Sequence, residues 1–303
     1  MSISHYIKKI GRGKDGARAL SREQATDLFG QVLDGAVTDL EVGAFCLAMR
    51  IKGETPSEMA GFLDATYQRL KLVPASSGNR LTVVLPSYNG ARKLPLLTPL
   101  LALLLARGGV PVLIHGTATE SSRISVSEVL EALEIRARTA ITSIADGELA
   151  FIPTEVLCPA LKRLLDVRRV VGLRNPAHSL VKIMNPCVGP SLVISSYTHP
   201  EYAVSMAQTF ELVGANAILL RGTEGEAVAD ARRIPQIEAF INGKRELLQE
   251  AQSGTLAALP DLPKTTDAAS TAAYIRAVLA GDQPVPQSIA RQVEHILHVV
   301  QQL

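Results

Sequence analysis

Aromatic residues are scarce in this sequence. They make up 4% of the 303 residues, and tryptophan is absent. A surface that binds single-stranded nucleic acid by stacking its bases needs several aromatic side chains. The composition therefore argues against a base-stacking platform.

Cysteine is also rare, and no spacing typical of zinc ligands is present. The three cysteines, Cys46, Cys158 and Cys187, are far apart and stand among apolar or proline residues. An odd number of widely separated cysteines does not suggest a disulfide framework. We interpret them as free thiols in the core, and we expect no metal site.

Membrane-spanning runs are missing as well. The apolar segment 94–106 is too short to cross a bilayer and is interpreted as a buried helix. The first residues, Met1 to His5, lack the apolar core of a signal peptide. We therefore expect a soluble cytoplasmic protein that does not bind membranes.

Charge is nearly balanced overall but unevenly distributed. The chain is 47% hydrophobic with a net charge of +2, so it can bury a sizeable core in one large or two ordinary domains. Residues 1–22 hold six basic residues against Asp15 alone, and residues 162–182 hold six against Asp166. Each of these two basic segments therefore has a net charge of +5.

Residues 81–116 organise the predicted fold. A short apolar run, 81–85, ends at a Pro-Ser-Tyr-Asn-Gly cluster, as a buried parallel strand does. A leucine-rich helix follows, with Thr98 as candidate N-cap, and Gly108-Gly109 ends it before a second strand at 110–114. Ligands of such crossover units gather between strand end and helix start, so residues 87–93 are the first candidate site.

The remaining chain predicts helices first and then alternating helices and strands. Capping boxes at Ser21, Thr38 and Thr55 predict helices through the first seventy residues, and the segment 73–80 marks a domain crossing. Asn242-Gly243 predicts a type I′ hairpin. The other predicted elements are helices from Ser125 to Glu134, at 159–171, 177–184 and 200–213, and from about Asp267 and Pro286, with strands at 149–152, 192–195 and 217–220.

This order of elements resembles a known family. The string Arg-Arg-Val-Val-Gly-Leu-Arg at 168–174, leading to Asn185-Pro186, and residues 125–135 are similar to anthranilate phosphoribosyltransferase and its relatives in glycosyltransferase family 3. The resemblance covers nearly the whole chain. It implies an α/β fold with a small all-helical domain and a larger α/β domain around a mostly parallel sheet, like that of the phosphoribosyltransferases and nucleoside phosphorylases.

The resemblance also implies domain limits and an oligomeric state. It places the helical domain at residues 1–73, completed by about 159–189, and the α/β domain at 74–158 and 190–303. A cleft separates the two domains in this family. Its members usually dimerise through the helical domain, so we expect a homodimer.

The catalytic signature of that family does not survive in this sequence. Its glycine-rich pyrophosphate loop corresponds to Leu-Pro-Ser-Tyr-Asn-Gly at 85–90, where bulk and a proline without an N–H replace glycines. Its Lys-His-Gly-Asn-Arg segment corresponds to residues 114–118, which lack both cations. Its acidic metal pair corresponds to Ala227-Val228, with Glu224 and Glu226 displaced from those positions.

These losses bear directly on activity. Phosphoribosyl transfer relies on a metal ion and on cations that stabilise the leaving diphosphate. We therefore expect no anthranilate phosphoribosyltransferase activity, and we assign no catalytic residue, cofactor or metal ligand.

One branch of the family resembles this chain more closely, because it keeps Pro-Ser-Tyr-Asn-Gly-Ala-Arg-Lys, here residues 86–93, in place of the glycine loop. Its studied members are described as nucleic-acid-binding dimers without the biosynthetic activity. The resemblance implies sequence-tolerant binding of DNA or RNA through backbone phosphates. The predicted contacts are Lys8, Lys9, Arg12, Lys14, Arg18, Lys162, Arg163, Arg168, Arg169, Arg174 and Lys182.

A second set of candidates lies at the predicted cleft, and other functions stay open. The cleft and anion-contact candidates are Ser87, Tyr88, Asn89, Gly90, Arg92, Lys93, His115 and Gly116. For His115 a turn position is favoured over a ligand contact, and either basic segment also fits an ordinary solvated helix face. The alternative functions are a glycosyl- or phosphoribosyltransferase with an unidentified substrate and, more weakly, a dimeric scaffold for a protein partner.

Overall fold

Four helices begin the fold in the computed structural model, which describes residues 2–13, 15–76, 78, 80–254, 256 and 258–303. The capping boxes predicted at Ser21, Thr38 and Thr55 all form, so the starts of the second, third and fourth helices bond part of their own backbone N–H groups. The four helices are α1 (Ser4–Ile10), α2 (Arg22–Leu33), α3 (Asp39–Lys52) and α4 (Pro56–Tyr67).

A seven-stranded sheet follows, in the order β3-β2-β1-β4-β5-β6-β7. The strands are β1 (Thr82–Ser87), β2 (Val112–Gly116), β3 (Leu149–Pro153), β4 (Ser191–Tyr197), β5 (Ala217–Arg221), β6 (Ile237–Ile241) and β7 (Lys244–Gln249). The first five are parallel, and β6 and β7 are antiparallel. The predicted hairpin is confirmed, because Asn242 and Gly243 both have the positive φ that a type I′ turn needs.

Further helices surround the sheet. They are α5 (Thr98–Arg107), α6 (Val126–Ala132), α7 (Thr154–Leu157), α8 (Pro159–Val171), α9 (Ala177–Leu180), α10 (Pro200–Val213), α11 (Ala268–Ala280) and α12 (Gln287–Gln302). A short 3₁₀ turn, Thr223–Gly225, follows β5. Within the part of the chain that the structure describes, no helix is both long and apolar enough to cross a membrane.

The hydrophobic core lies on both faces of the sheet. Alternate residues of β1 separate the two halves: Val84 packs into the half that contains the N-terminal helices, α8 and α10, whereas Val83 and Leu85 pack into the half that contains α5, α11 and α12. In the first half, the rings of Phe29 and Phe62 stack with centroids 4.7 Å apart. The predicted fold class, a small helical part beside a mostly parallel α/β body, is confirmed.

The prediction of Thr98 as the N-cap of α5 is wrong. Leu97 stands at the cap position and Thr98 is the first helical residue. The Thr98 hydroxyl instead donates to Glu226, 3.2 Å away. A contact across 128 residues of sequence has therefore replaced the local cap.

Candidate functional site

The loop after β1 is organised around the buried carboxylate of Glu226, which is 1% exposed. Its Oε1 accepts the backbone N–H groups of Asn89 at 2.7 Å and Gly90 at 2.8 Å. Its Oε2 accepts the hydroxyls of Ser87 and Thr98. Converging N–H groups of this kind form the concave sites that bind phosphate in other proteins. Here a carboxylate of the same chain fills that place.

A second carboxylate, that of Glu224, fills the continuation of the loop. Its Oε2 accepts the backbone N–H groups of Arg92 at 2.7 Å, Lys93 at 3.1 Å and Leu94 at 3.4 Å. Glu224 has φ +52°, a left-handed conformation that is uncommon outside glycine, and its backbone oxygen accepts the Asn89 side-chain amide at 2.8 Å. The two glutamates thus use five backbone N–H groups that a bound phosphate would need.

The side chains of Tyr88 and His115 lie inside the protein. The Tyr88 hydroxyl is 2.8 Å from Nδ1 of His115 and accepts a hydrogen bond from Thr154 at 2.9 Å. The turn position favoured for His115 is wrong, because β2 continues through Gly116, which pairs with Ser87. Complete burial lowers the pKa of His115 to about 3, so the ring is neutral.

The remaining loop candidates differ in exposure. Arg92 and Lys93 have exposed side chains, while their backbone N–H groups hold Glu224. Gly116 is required sterically, since a Cβ there would stand 1.9 Å from the backbone oxygen of Ser87. The predicted site residues are thus brought together, but around the carboxylates of Glu224 and Glu226 rather than around an open pocket.

The sequence showed those two glutamates but not their role. They stand two residues apart directly after β5, beside the positions of the family's metal pair. Ala227 and Val228, at those positions, are buried apolar residues. Among the residues that the structure describes, no group of three or more His, Cys, Asp or Glu side chains could hold a metal ion.

The N-terminal basic segment places its cations on the surface. Lys8, Arg12 and Arg18 are exposed and form no ion pair with a carboxylate of the described chain. Lys9 is partly buried and donates to the side chain of Gln24 at 2.7 Å. Lys14 lies outside the described residues.

In the second basic segment, the cationic side chains bond to other groups of the protein. Lys162 and Arg169 both pair with Asp166, and Arg168 pairs with Glu120 at 2.8 Å. Arg163 is exposed and also donates to the backbone oxygen of Leu33. Arg174 donates to Asn89 Oδ1 at 3.4 Å and Lys182 to the Gly225 backbone oxygen at 2.8 Å. Of the six cations, Arg163 and Arg169 are exposed.

Comparison with known proteins agrees with this architecture. Residues 4–69 match the helical bundle domain of a glycosyl transferase family. The chain is 39% identical to the uncharacterized protein YbiB of Escherichia coli, over 97% of this chain and 92% of that protein. It is 28% identical to the anthranilate phosphoribosyltransferase of Methylobacterium nodulans, over 95% and 86% of the two chains.

The solved structure of anthranilate phosphoribosyltransferase (TrpD) from Thermus thermophilus has the same fold. It superposes with a TM-score of 0.73 at 24% identity, covering 95% of this chain and 85% of that one. The protein is therefore built on the anthranilate phosphoribosyltransferase-like scaffold of glycosyltransferase family 3. The chain belongs to the family of Escherichia coli YbiB.

Proposed function

We propose that this protein binds nucleic acid through backbone phosphates, on a phosphoribosyltransferase-like scaffold whose phosphate loop is filled by its own carboxylates. The observation that carries the proposal is the exposure of Lys8, Arg12 and Arg18 without carboxylate partners in the described chain. Cations in this state can contact phosphates without breaking an existing ion pair. Such contacts supply most non-specific affinity for nucleic acid.

The two basic segments contact α2 near its opposite ends. Lys9 contacts Gln24 near the start of this helix, and Arg163 contacts Leu33 at its end. At 1.5 Å per residue the two contact points are about 14 Å apart along the axis, which spans about four steps of a nucleic-acid strand. Glu23, Asp27 and Asp34 are exposed along α2 and at its end. We therefore expect the phosphate contacts to come from the two basic segments themselves and not from the acidic surface of α2.

A binding titration tests this proposal. The probe is a fluorescently labelled random-sequence oligonucleotide, single-stranded or duplex, at low salt. Replacing Lys8, Arg12 and Arg18 with Glu should weaken binding by at least about tenfold, because three contacts become repulsive. The matched control replaces Arg136, Lys244 and Lys264, which are exposed on the α/β body, with Glu and should change affinity little. Absence of wild-type binding, or equal losses in both variants, would refute the proposal.

We also propose that the protein is a homodimer joined through its helical part. Leu40, Leu47 and Ile51 are 83%, 45% and 65% exposed, and their spacing puts them on one face of α3. Covering this apolar face with a second copy would remove it from water. Replacing Leu47 and Ile51 with Glu should give a monomeric mass by light scattering, and a wild-type monomer would contradict the dimer.

The second candidate function is a glycosyl- or phosphoribosyltransferase with an unidentified substrate. The similarity to proteins named anthranilate phosphoribosyltransferase favours it more directly than it favours nucleic-acid binding. The loop geometry opposes it, because Glu224 and Glu226 hold the N–H groups that a diphosphate would need. A rise in melting temperature with phosphoribosyl diphosphate and Mg²⁺ would favour the transferase, and no rise would favour the first proposal.

A further inference from the structure

Four basic residues from two distant parts of the chain come together at the carboxyl end of the parallel strands. Arg92 and Lys93 belong to the loop after β1, and Arg232 and Arg233 belong to the connection between β5 and β6. Glu224 joins the two parts, because its carboxylate accepts the backbone N–H groups of Arg92 and Lys93 at 2.7 and 3.1 Å. We call these four basic residues the loop patch.

The electrostatic effects within this region show which of its groups are neighbours. Arg232 donates to both carboxylate oxygens of Asp230, at 2.9 and 2.8 Å. This hydrogen bond raises the pKa of Arg232 against the effect of burial, and the charges of Asp230 and Glu224 raise it further. Although burial acts in the opposite direction, Arg232 and the charge of Arg233 lower the pKa of Asp230. Charges act on one another in this way only when they lie close together.

The loop patch has an excess of positive charge that is exposed. Arg92, Lys93 and Arg233 have exposed side chains and form no ion pair within the described chain. The two neighbouring carboxylates are already bonded, Glu224 to backbone N–H groups and Asp230 to a guanidinium. Phosphate groups can therefore contact three cations without breaking an ion pair.

The internal carboxylates also fix the backbone that carries these side chains. Glu226 accepts the N–H groups of Asn89 and Gly90, and the second internal glutamate accepts those of Arg92 and Lys93. Because backbone atoms form these bonds, the two basic side chains stay available to a ligand. A loop that is already ordered loses less conformational entropy when a ligand binds.

The second basic segment adjoins the loop patch. Arg174 donates to Asn89 Oδ1 at 3.4 Å, and Lys182 donates to the Gly225 backbone oxygen at 2.8 Å. The two acceptors lie in the loop after β1 and in the turn after β5, the same parts of the chain that carry the loop patch. The cations of this region therefore continue a surface to which the second basic segment already belongs.

We propose that the loop patch contacts the backbone phosphates of a bound nucleic acid, as a third set of contacts beside the two basic segments. This inference rests on the proposed function, because it requires nucleic acid to bind. Three exposed cations on separate residues suit several phosphates along a backbone better than one small anion. The motif at 86–93 then has two parts, a backbone that bonds to the internal carboxylates and two terminal side chains that contact phosphate.

A matched pair of variants tests these contacts through the salt dependence of binding. Arg92 and Lys93 are changed to Gln in the first variant, and Arg136 and Lys244, which are exposed elsewhere on the α/β body, in the second. For a labelled duplex oligonucleotide, the slope of log affinity against log salt concentration should become shallower by about two units in the first variant only. Gln keeps the backbone N–H groups that bond to Glu224, and urea denaturation checks that both variants fold.

The outcomes separate this inference from the proposed function. If replacing Lys8, Arg12 and Arg18 changes the slope but replacing Arg92 and Lys93 does not, the loop patch contacts no phosphate and this inference alone is wrong. Equal changes in the matched pair also overturn it. If the wild type does not bind the oligonucleotide, the proposed function and this inference are both refuted.

Acetylation of lysine side chains gives a second readout, on the wild type itself. Bound oligonucleotide should remove most of the reactivity of Lys93 and leave that of Lys244 unchanged, as measured by mass spectrometry, because a phosphate contact shields the amine. Lys8 reports on the N-terminal segment in the same experiment. Protection of Lys8 without protection of Lys93 would contradict the loop patch as a contact surface.

Discussion

Residues 1–22 and residues 162–182 each hold six basic side chains against one acidic side chain, yet the fold gives the two sets of charges different surroundings. In the first segment, Lys8, Arg12 and Arg18 are exposed and form no ion pair within the described chain, although Arg18 donates to the backbone oxygens of Asp15 and Ala17. In the second, Asp166 and Glu120 pair with three of the six cations, and Arg174 and Lys182 donate to the Asn89 side chain and the Gly225 backbone. The net charge of a segment therefore predicts an interface only where its charged side chains do not already bond to other groups of the same protein.

The loop after β1 shows the same internal use of binding groups, here with negative side chains. Its N–H groups would attract an anion, but Glu224 and Glu226 already satisfy them. The loop resembles the paired basic segment in this respect, because its binding capacity is used internally. Experiments that remove the internal partner should have large effects on stability, and those that change the free cations should affect binding instead.

The largest effect is expected from Glu226→Ala. This change leaves two backbone N–H groups and two hydroxyls without an acceptor in a site closed to water. We expect the free energy of unfolding to fall by roughly 3 kcal/mol or more, measured by urea denaturation. Inorganic phosphate should restore part of that stability by entering the emptied site.

The matched control is Glu224→Ala. Its carboxylate is partly exposed, so water can replace its hydrogen bonds, and a loss of about 1 kcal/mol is expected. If the two variants lose the same small amount, Glu226 is not the centre of the loop and the internal-anion interpretation is wrong.

The next effect concerns pH. Burial lowers the pKa of His115 and of His178 to about 3, whereas both rings titrate near 6.5 in the unfolded chain. Their contribution to stability is therefore complete above pH 6.5 and decreases as pH falls, because the unfolded state takes up protons that the folded state does not. Well below pH 6.5, each histidine should lower the free energy of unfolding by up to about 1.4 kcal/mol per pH unit.

Urea denaturation at several pH values measures this slope. Between pH 6.5 and about 5, where carboxylates stay ionised, the variant His178→Gln should show a shallower slope, since one of the two titrating rings is removed. A wild-type stability that does not change over this pH range would show that neither ring is held neutral.

A smaller effect should separate the two basic segments directly. Arg168→Met breaks the ion pair with Glu120 and should lower the free energy of unfolding by about 1 kcal/mol, because both side chains are partly shielded from water. Arg12→Met removes an exposed cation without a partner in the described chain, so we expect a change within about 0.5 kcal/mol. Equal losses in the two variants would contradict the difference between the segments.

Local signals in the sequence predicted much of the fold. The capping boxes at Ser21, Thr38 and Thr55 and the Asn242-Gly243 turn each depend on residues within a few positions of one another, and each forms as predicted. The alternating strands and helices of the α/β body follow from similarly local patterns.

The site depends on long-range contacts, which local patterns do not reveal. The sequence predicts Thr98 as a helix cap, but in the structure its hydroxyl donates to Glu226, which is 128 residues away. The sequence indicates no partner for Arg168, but in the structure its guanidinium donates to Glu120, which lies 48 residues before it. The placement of charges therefore required the structure.

The central claim is that the cations of the N-terminal segment are free to contact phosphates. The most direct test is the slope of log affinity against log salt concentration for a duplex oligonucleotide, measured for the wild type and for the variant with Lys8, Arg12 and Arg18 changed to Gln. We predict that the variant's slope is shallower by about three units, about one for each lost contact. A slope that is unchanged in this variant, or that falls equally when Arg136, Lys244 and Lys264 are changed to Gln, would contradict the account.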